Sequence, residues 1–270
     1  MRLKTIDCYG IRYNVAASEN IAFWEFVERG DWEPNTFKIF DRYLTADTAY
    51  IDVGAWIGST VLYACQLARE TYAFEPDPIA FEELRKNVEA NADGLESIRL
   101  LTAELAVTSD GAPIRLGNRD HGGDSRSSSL FTDATTHWDV KSIRLDGFIA
   151  EQQISGRIFI KIDIEGGEYD LVPTFKNWLG RYDATILLSI HPNHLSMSLR
   201  NTHGNNGVLK RITRRAMFVW KHIKLIRALG STHLYAVNGL PFRFTREVIR
   251  AILFGRFASE VLATNRAWGD

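Results

Sequence analysis

The sequence predicts an α/β fold built on a doubly wound, mostly parallel sheet of seven strands with an antiparallel edge strand. Short apolar segments alternate with helical segments over most of the chain, and this alternation indicates repeated strand–helix units. The apolar segments are rich in β-branched residues and lack polar alternation, as is typical of strands that are covered on both faces. Two late apolar segments, "THLYAVNG" and "SEVLATN", are expected to form the antiparallel edge.

The composition indicates a globular protein. The 270 residues are 45% hydrophobic and 24% charged, and the formal net charge is -1. These values allow a substantial core, and they argue against a chain that binds nucleic acid with its whole surface. Cys8 and Cys65 form neither a metal-ligand spacing nor a disulfide framework. Because no apolar segment has the length of a signal core or a membrane span, we expect a cytoplasmic protein.

The first 45 residues are predicted to form a hairpin and a helical cap, and residues 46–270 the main domain. A turn at Tyr9-Gly10 joins two short strands, and Pro34 is well placed to begin a helix. The expected elements of the cap are strands within 3–16 and helices at 19–29 and 35–44.

In the main domain, predicted strands and helices follow one another. Asp77 and Pro78 supply a start signal for one of the helices. The expected strands are 49–54, 70–76, 97–107, 137–145, 157–167, 184–193, 232–239 and 259–265. The expected helices are 57–67, 77–92, 146–152, 168–179 and 205–229.

The stretch "IDVGAWIGST", residues 51–60, joins a predicted strand to a helix. It lacks the Lys of a phosphate-binding P-loop, and Ala55 replaces the second Gly of a dinucleotide-binding loop. Asp52, Gly54 and Gly58 instead fit the D-x-G-x-x-x-G loop of Rossmann-like enzymes that bind S-adenosylmethionine (SAM), which carries no phosphate. We therefore predict that Asp52 meets the SAM ammonium, directly or through water. The predicted loop contacts are Gly54, Ala55, Trp56, Ile57 and Gly58.

The second strand of the predicted sheet ends at Glu75, 17 residues after Gly58. An acid at this place holds ribose hydroxyls in Rossmann-like folds, because a carboxylate accepts hydrogen bonds from both hydroxyls. The alternative is that Glu75 caps a helix or is merely solvated. Pro76, together with Ala103 and Glu104 at the end of the third strand, completes the predicted cofactor site.

The segment "KIDIEGGEYDLV", residues 161–172, resembles the signature of the FkbM-type SAM-dependent methyltransferases. "YIDVGAWIGSTVLYA" is similar to the D-V-G-A-N-x-G loop of that family, and "AFEPDPIAFEELRKNVEAN" to its second strand and helix. "LAVTSDGAPIRL", "SIRLDGFIAEQQI" and "WEPNTFKIF" also resemble family segments. The similarity covers about residues 32–191, and Trp56 stands where the family usually has Asn. The resemblance implies methyl transfer from SAM, most often to a hydroxyl of a sugar, polyketide or other secondary metabolite.

The predicted catalytic residues lie at the carboxyl ends of the fourth and fifth strands, where parallel sheets bind ligands. Asp163 and Glu165 alternate on one strand end, so both side chains are expected on the same face. Asp163 is predicted to contact the amino-acid end of SAM or the acceptor, and His191 to act as the general base. The alternative for Asp163, Glu165 and also Glu168 is that they cap the following helix. For His191 the alternative is a hydrogen-bonded structural role. Asp163, His191 and His194 form an alternative ligand set for a divalent metal.

We expect O-methylation of a small-molecule or glycan acceptor and no nucleic-acid partner. Methylation of nitrogen on protein or nucleic acid is a second hypothesis. Against it, "DIEGG" stands where amino-group methyltransferases often carry an Asp- or Asn-Pro-Pro-aromatic motif. A SAM-binding protein without catalysis is a third hypothesis, which would need Asp52 and Glu75 but neither Asp163 nor His191.

Two further segments carry predictions. The polar loop 117–129 is expected either to close over the acceptor, with His121 and Arg126 as contacts, or to be an irregular insertion. The stretch 210–227 contains seven Lys or Arg and no acid. It is expected either to dock on the sheet with a solvated basic face or to lie on an anionic lipid surface. Its predicted apolar seam is Ile212, Ala216, Val219, Trp220, Ile223 and Ile226.

Overall fold

The computed structural model describes residues 2–16, 20–95, 99–118, 127–128, 130, 135–203, 207–230 and 233–268. The strands are β1 (Leu3–Cys8), β2 (Ile11–Ala16), β3 (Thr48–Val53), β4 (Glu70–Phe74), β5 (Arg99–Ala103), β6 (Ala106–Val107), β7 (Ile114–Asn118), β8 (Thr136–Val140), β9 (Ser142–Ile143), β10 (Arg157–Ile162), β11 (Asp183–Ser189), β12 (His233–Tyr235) and β13 (Glu260–Thr264). The helices are α1 (Ile21–Glu28), α2 (Pro34–Tyr43), α3 (Val61–Ala64), α4 (Pro78–Glu89), α5 (Ala92–Leu95), α6 (Leu145–Glu151), α7 (Glu168–Leu171), α8 (Pro192–His203), α9 (Val208–Ala228) and α10 (Phe244–Phe254), with 3₁₀ turns at Val172–Asn177 and Leu179–Arg181.

The central sheet has seven strands in the order β12-β13-β11-β10-β3-β4-β5. Strands β11, β10, β3, β4 and β5 pair in parallel, whereas β13 runs antiparallel to both of its neighbours. The predicted α/β fold with a mostly parallel, Rossmann-like sheet is therefore confirmed. The antiparallel strand lies one place in from the edge, because β12 pairs with its outer side.

Each face of the sheet is covered by other elements. On one face, aliphatic side chains such as Ile160 and Ile186 pack against α6, α8, α9 and the 3₁₀ turn after α7. On the other face, Tyr50 and Phe159 pack against α2, α3 and the β1–β2 hairpin. The hairpin and first helices thus share a core with the sheet, and the division after residue 45 stays a prediction.

Several local predictions were wrong. The helix expected over 57–67 is an α-helix only in α3, because the loop after β3 occupies the first part of this segment. The helix expected over 168–179 changes to 3₁₀ turns after α7, where Pro173 lacks the N–H of a continuing α-helix. The segment 137–145 forms β8 and β9, which pair with β7 and β6 outside the central sheet. Helices α8 and α10 were missed.

Candidate functional site

A cavity of about 780 Å³ lies at the carboxyl ends of the parallel strands. The loops after β3, β4, β10 and β11 line it, and residues of α1 and of the segment before α2 form one wall. Its volume is in the range of small-molecule and cofactor sites. Its position follows the rule that open α/β sheets bind ligands at the carboxyl ends of their strands.

The loop after β3 brings two strand ends close together. Gly54 has φ +90°, and a Cβ at this position would collide with the carbonyl oxygen of Asp163. Glycine is therefore required, since any side chain would push β3 away from the loop after β10. The amides of Gly54 and Ala55 donate to the carbonyl oxygen of Phe74, at 2.9 and 3.0 Å. Gly54 and Ala55 both line the cavity.

Trp56 lines the cavity in an uncommon backbone conformation, with φ +47°. Asn tolerates this left-handed conformation better than other side chains do, which explains why Asn suits the same position in the family that the loop resembles. The Trp56 ring packs edge-on against Phe23, with 4.6 Å between ring centroids. The aromatic contact thus offsets the backbone strain.

Glu75 is the first residue after β4, and only 7% of its surface is exposed. Its two carboxylate oxygens accept hydrogen bonds from the amides of Trp56 and Asp77, each at 2.8 Å. Burial outweighs these hydrogen bonds and raises the pKa of Glu75 to about 8. Asp77 caps α4 by accepting from the amides of residues 79 and 80, so Glu75 is not the cap. Glu75 and Pro76 both line the cavity.

Four predicted cofactor residues, Ile57, Gly58, Ala103 and Glu104, are not among the described residues that line the cavity. Ile57 is fully buried under the loop, and Gly58 lies so close to α4 that a Cβ would meet Leu84 at 2.8 Å. The carbonyl oxygen of Ala103 still accepts from the amide of Glu75, at 3.1 Å. The chain after β5 therefore reaches the cavity only beyond its hydrogen bond with Glu75. Residues 105–108 line the cavity in place of Ala103 and Glu104.

Asp52 is a fifth predicted cofactor residue that does not line the cavity, and it is fully buried; its contact with the SAM ammonium, directly or through water, stays a prediction. Its Oδ2 accepts from the hydroxyls of Tyr50, at 2.7 Å, and Thr60, at 2.5 Å. Its Oδ1 lies 3.9 Å from Nζ of Lys161, the residue that pairs with Asp52 across β3 and β10. The charge that Asp52 faces is thus a lysine of the chain itself.

Lys161 lines the cavity, and the sequence-based prediction missed it. Its Nζ lies 3.6 Å from Oδ2 of Asp163. Burial disfavours the charged form, but the carboxylates of Asp52, Asp163 and Glu33 outweigh burial and raise the pKa of Lys161 above its ordinary value. The available signal was a single Lys within the apolar strand "RIFIKI", because a buried Lys needs a charged partner.

Two further acids at the cavity were missed. Glu33 precedes α2 with φ +42°, and its carboxylate accepts from the hydroxyl of Thr36 at 3.0 Å. Burial raises the pKa of Glu33 to about 7. Glu260 begins β13, and burial also raises its pKa. No local spacing connects these residues with the strand ends, because they come from opposite ends of the chain.

His191 stands among three carboxylates. Its Nε2 lies 3.4 Å from an oxygen of Asp163 and 3.4 Å from an oxygen of Glu165. Glu168 is fully buried and accepts from the amides of Gly166 and His191, at 2.8 and 2.7 Å. Burial alone would lower the pKa of His191, but Glu168, Asp163 and Glu165 raise it to about 9. The imidazole is therefore protonated at neutral pH in the free protein.

The grouping of metal-ligating side chains differs from the predicted one. Asp163, Glu165 and His191 each offer a ligand atom, and these atoms lie within 4.8 Å of one another. Nδ1 of His194 lies 3.0 Å from Glu165, and its ring stacks on that of His191 with 5.4 Å between centroids. Asp163, Glu165 and His191 are ligand types that a divalent cation accepts. The same two carboxylates also stabilise a proton on His191.

An aromatic wall closes the side of the cavity next to α1. Phe23, Phe26, Trp32 and Trp56 line the cavity. The rings of Phe23 and Trp32 meet edge-on with 5.2 Å between centroids. The cavity therefore combines an apolar wall with the charged strand ends.

The described part of the polar loop reaches the same cavity. Ser127 lines it and donates to Oδ2 of Asp77 at 2.6 Å. The hydroxyl of Ser128 donates to the carbonyl oxygen of Glu165 at 2.5 Å. His121 and Arg126, the contacts predicted for this loop, lie outside the described residues.

Solved methyltransferase structures are similar to parts of this chain. The methyltransferase FkbM from Methylobacillus flagellatus is 16% identical over 65% of this chain and 45% of its own, with a TM-score of 0.37. The T. thermophilus 16S rRNA methyltransferase, in complex with AdoMet and guanosine, is 12% identical over 98% and 50%, with a TM-score of 0.41. This chain therefore spans about half the length of both. The plantazolicin methyltransferase BpumL, in complex with SAH, is 9% identical over 92% and 93%, with a TM-score of 0.33.

The comparison of sequences is more specific. No curated protein matches the chain, but residues 52–219 match the family described as the methyltransferase FkbM domain. This match covers more than half of the chain, and it includes the loop after β3, Glu75, Asp163 and His191. It confirms the predicted resemblance: the chain belongs to the FkbM methyltransferase domain family.

Proposed function

We propose that the chain is a SAM-dependent O-methyltransferase that acts on a hydroxyl of a sugar, glycan or secondary metabolite. One observation carries the proposal. The Gly54 loop and Glu75 line the same cavity as Asp163 and His191. A nucleoside cofactor at one end and an acceptor at the other would therefore lie side by side.

The end of the cavity next to β4 suits the nucleoside. Glu75 accepts hydrogen bonds there, and a carboxylate in this place can accept from both ribose hydroxyls. Leu105, Val107 and Ile114 line the cavity nearby, and such side chains suit the face of an adenine ring. We propose that Glu75 and these apolar side chains bind the nucleoside together, and that Asp52 supports the loop from beneath.

The end next to β10 and β11 suits the acceptor. SAM supplies the methyl group and a sulfonium leaving group. The hydroxyl oxygen of the acceptor attacks the methyl carbon, and the C–S bond breaks with its electron pair staying on sulfur. The hydroxyl proton passes to Nε2 of the neutral form of His191, which forms when the imidazolium releases its proton to solvent, so transfer becomes faster as the pH rises towards 9. Asp163 and Glu165 then stabilise the imidazolium. In-line placement of the reacting atoms supplies much of the acceleration, and the base adds about 10²–10⁴-fold.

The walls of this end support a sugar-like acceptor. Phe26 and Trp32 offer flat apolar surfaces, on which the C–H face of a sugar ring packs. Glu33, Asp163 and Glu260 offer oxygen atoms that accept from hydroxyl groups. This number of acceptors suits an acceptor molecule that carries several hydroxyl groups, as a sugar does.

The cofactor part of the proposal predicts that Glu75→Ala raises the Kd for SAM about 100-fold by calorimetry, since two charge-assisted hydrogen bonds are lost. Glu82→Ala is the matched control, because Glu82 is an exposed acid on α4. Glu75→Gln keeps the shape of the side chain and should weaken binding less. Equal affinity in Glu75→Ala and the wild type would contradict the cofactor site.

The transfer part is tested with methyl-labelled SAM. The protein is incubated with pools of sugar nucleotides, glycans and metabolite extracts, and labelled products are identified by mass spectrometry. We expect label on a hydroxyl oxygen, and loss of labelling in Asp163→Asn with SAM binding retained. Label on nitrogen, or SAM binding without any labelled product, would contradict O-methylation.

A further inference from the structure

Helix α9 exposes an apolar stripe to solvent, whereas a surface helix usually buries its apolar face. Leu209, Ile212 and Trp220 are 76%, 60% and 57% exposed. Their spacing of three and eight residues places them on one side of the helix. The buried side instead holds Phe218, Leu225 and other residues. The predicted seam was therefore wrong in part, since Ile212, Ala216 and Trp220 belong to the outer face.

Helix α10 adds a second exposed apolar stripe. Ile249, Leu253 and Phe254 are 50%, 62% and 67% exposed. Nη1 of Arg215 on α9 donates to the carbonyl oxygen of Ala251 at 3.1 Å, which holds the two helices together. We call the exposed large apolar side chains of these helices, Val208, Leu209, Ile212, Trp220, Ile249, Ile252, Leu253 and Phe254, the α9–α10 surface.

The α9–α10 surface lies in the most basic part of the chain. Residues 207–256 contain 11 Lys or Arg and one acid, Glu247, whereas the whole chain has a net charge of -1. Glu247 is buried and paired with Arg250 at 2.8 Å. Nζ of Lys224 lies 5.3 Å from the centre of the Trp220 ring, so cationic and apolar groups stand side by side.

We propose that the α9–α10 surface binds the surface of an anionic lipid bilayer. Exposed apolar side chains flanked by Lys and Arg are the pattern of helices that lie in the membrane interface, where the apolar groups enter the lipid and the cations meet anionic headgroups. A second copy of the chain would bring like charges together. A nucleic acid would match the charge and leave the apolar side chains exposed. Among the described residues, none of the helices has the length and hydropathy of a membrane span.

The surface is connected with the cavity. Nζ of Lys221 on α9 lies 3.0 Å from Oδ1 of Asp170, and Asp170 lines the cavity. Tyr169 and His222, both buried, form a second link through a hydrogen bond of 2.9 Å. These contacts fix α9 to the element that carries the cavity rim.

Co-sedimentation with vesicles tests the proposal. Vesicles of phosphatidylcholine with phosphatidylglycerol are compared with vesicles of phosphatidylcholine alone, at low and high salt. We expect at least about tenfold stronger binding to the anionic vesicles, weakened by salt because exposed charges are screened. Equal binding to both vesicle types, or no binding to the anionic ones, would overturn the proposal.

Variants separate this surface from the rest of the protein. Leu253→Glu with Phe254→Glu, and separately Lys210→Glu with Arg211→Glu, are each expected to reduce anionic-vesicle binding at least about tenfold. Ile79→Glu and Lys38→Glu are the matched controls, an exposed apolar residue on α4 and an exposed Lys on α2. SAM binding is measured in parallel for each variant. Retained SAM binding shows that the variant is folded, and it does not depend on whether the protein binds lipid. Undiminished vesicle binding in both test variants, or a dimer in solution that Leu253→Glu dissociates without any vesicle binding, would overturn the proposal.

Discussion

The two ends of the cavity are built in different ways. At the proposed cofactor end, next to β4, one loop and one acid form the site: Gly54 allows a close approach of two strand ends, and Glu75 is held by the amides of Trp56 and Asp77. At the proposed acceptor end, next to β10 and β11, the site is formed by charged side chains from distant segments, with Lys161 and His191 each surrounded by carboxylates.

The difference has a physical consequence. Backbone amides hold their geometry without a change of charge, so the cofactor end should respond little to pH beyond Glu75 itself. The acceptor end depends on charges that balance one another in a buried place, so the loss of one charge leaves another uncompensated. We therefore expect the acceptor end to be the more sensitive to substitution and to pH.

The largest effect is expected for His191→Gln, which should lower kcat about 10²–10⁴-fold if His191 is the base. Because the pKa of His191 is raised to about 9, kcat/KM of the wild type should increase with pH and level off above about pH 9. The variant should lack this increase. A pH profile that is the same in both proteins would show that another group is the base.

The raised pKa of His191 also makes the free energy of unfolding depend on pH. A pKa raised above its ordinary value of 6.5 contributes stability that is complete below that value and is lost as the pH rises through about 9. Urea unfolding of the wild type should show this loss, and His191→Gln should show less of it. The unfolding measurement thus tests the raised pKa of His191, and the kinetic profile tests its role as base.

A smaller but still large effect is expected for Lys161→Met. Removal of the only cation that faces buried Asp52 among the described ion pairs should lower the free energy of unfolding by about 3–5 kcal/mol. Asp52→Asn in the same chain should recover part of this loss, and Lys38→Met, at an exposed position, should have little effect. Urea unfolding of the wild type, Lys161→Met, Asp52→Asn and the double variant measures the coupling, with Lys38→Met as a separate control, and independent, additive effects of the two substitutions would contradict the pairing.

The contrast also marks how much of the molecule could be predicted from its sequence. The mostly parallel sheet could be predicted, because apolar strands alternate with helices along the chain. The shared place of Gly54, Glu75 and Pro76 at one cavity could also be predicted, because they lie within one strand–helix–strand unit with a recognisable spacing. The acceptor end was accessible only at the strand ends, at Asp163, Glu165 and His191. Glu33 and Glu260 reach the cavity through tertiary packing, which leaves no local pattern. The ion pair of Asp52 with Lys161 could not be predicted, because it depends on the register of β3 against β10.

The smallest effect is expected at the residue that departs from the family pattern. Trp56→Asn should change the free energy of unfolding by no more than about 1 kcal/mol, because relief of the left-handed backbone, worth about 1–2 kcal/mol, offsets the lost contact with Phe23, worth about 0.5–1.5 kcal/mol. Trp56→Ala loses the ring without gaining a residue that tolerates φ +47°, so it should be the less stable variant. SAM affinity should stay within about threefold in Trp56→Asn, since the amide of residue 56 still donates to Glu75. Equal stability of the Asn and Ala variants would show that the backbone conformation carries no strain, and that the cofactor end depends on the indole ring itself.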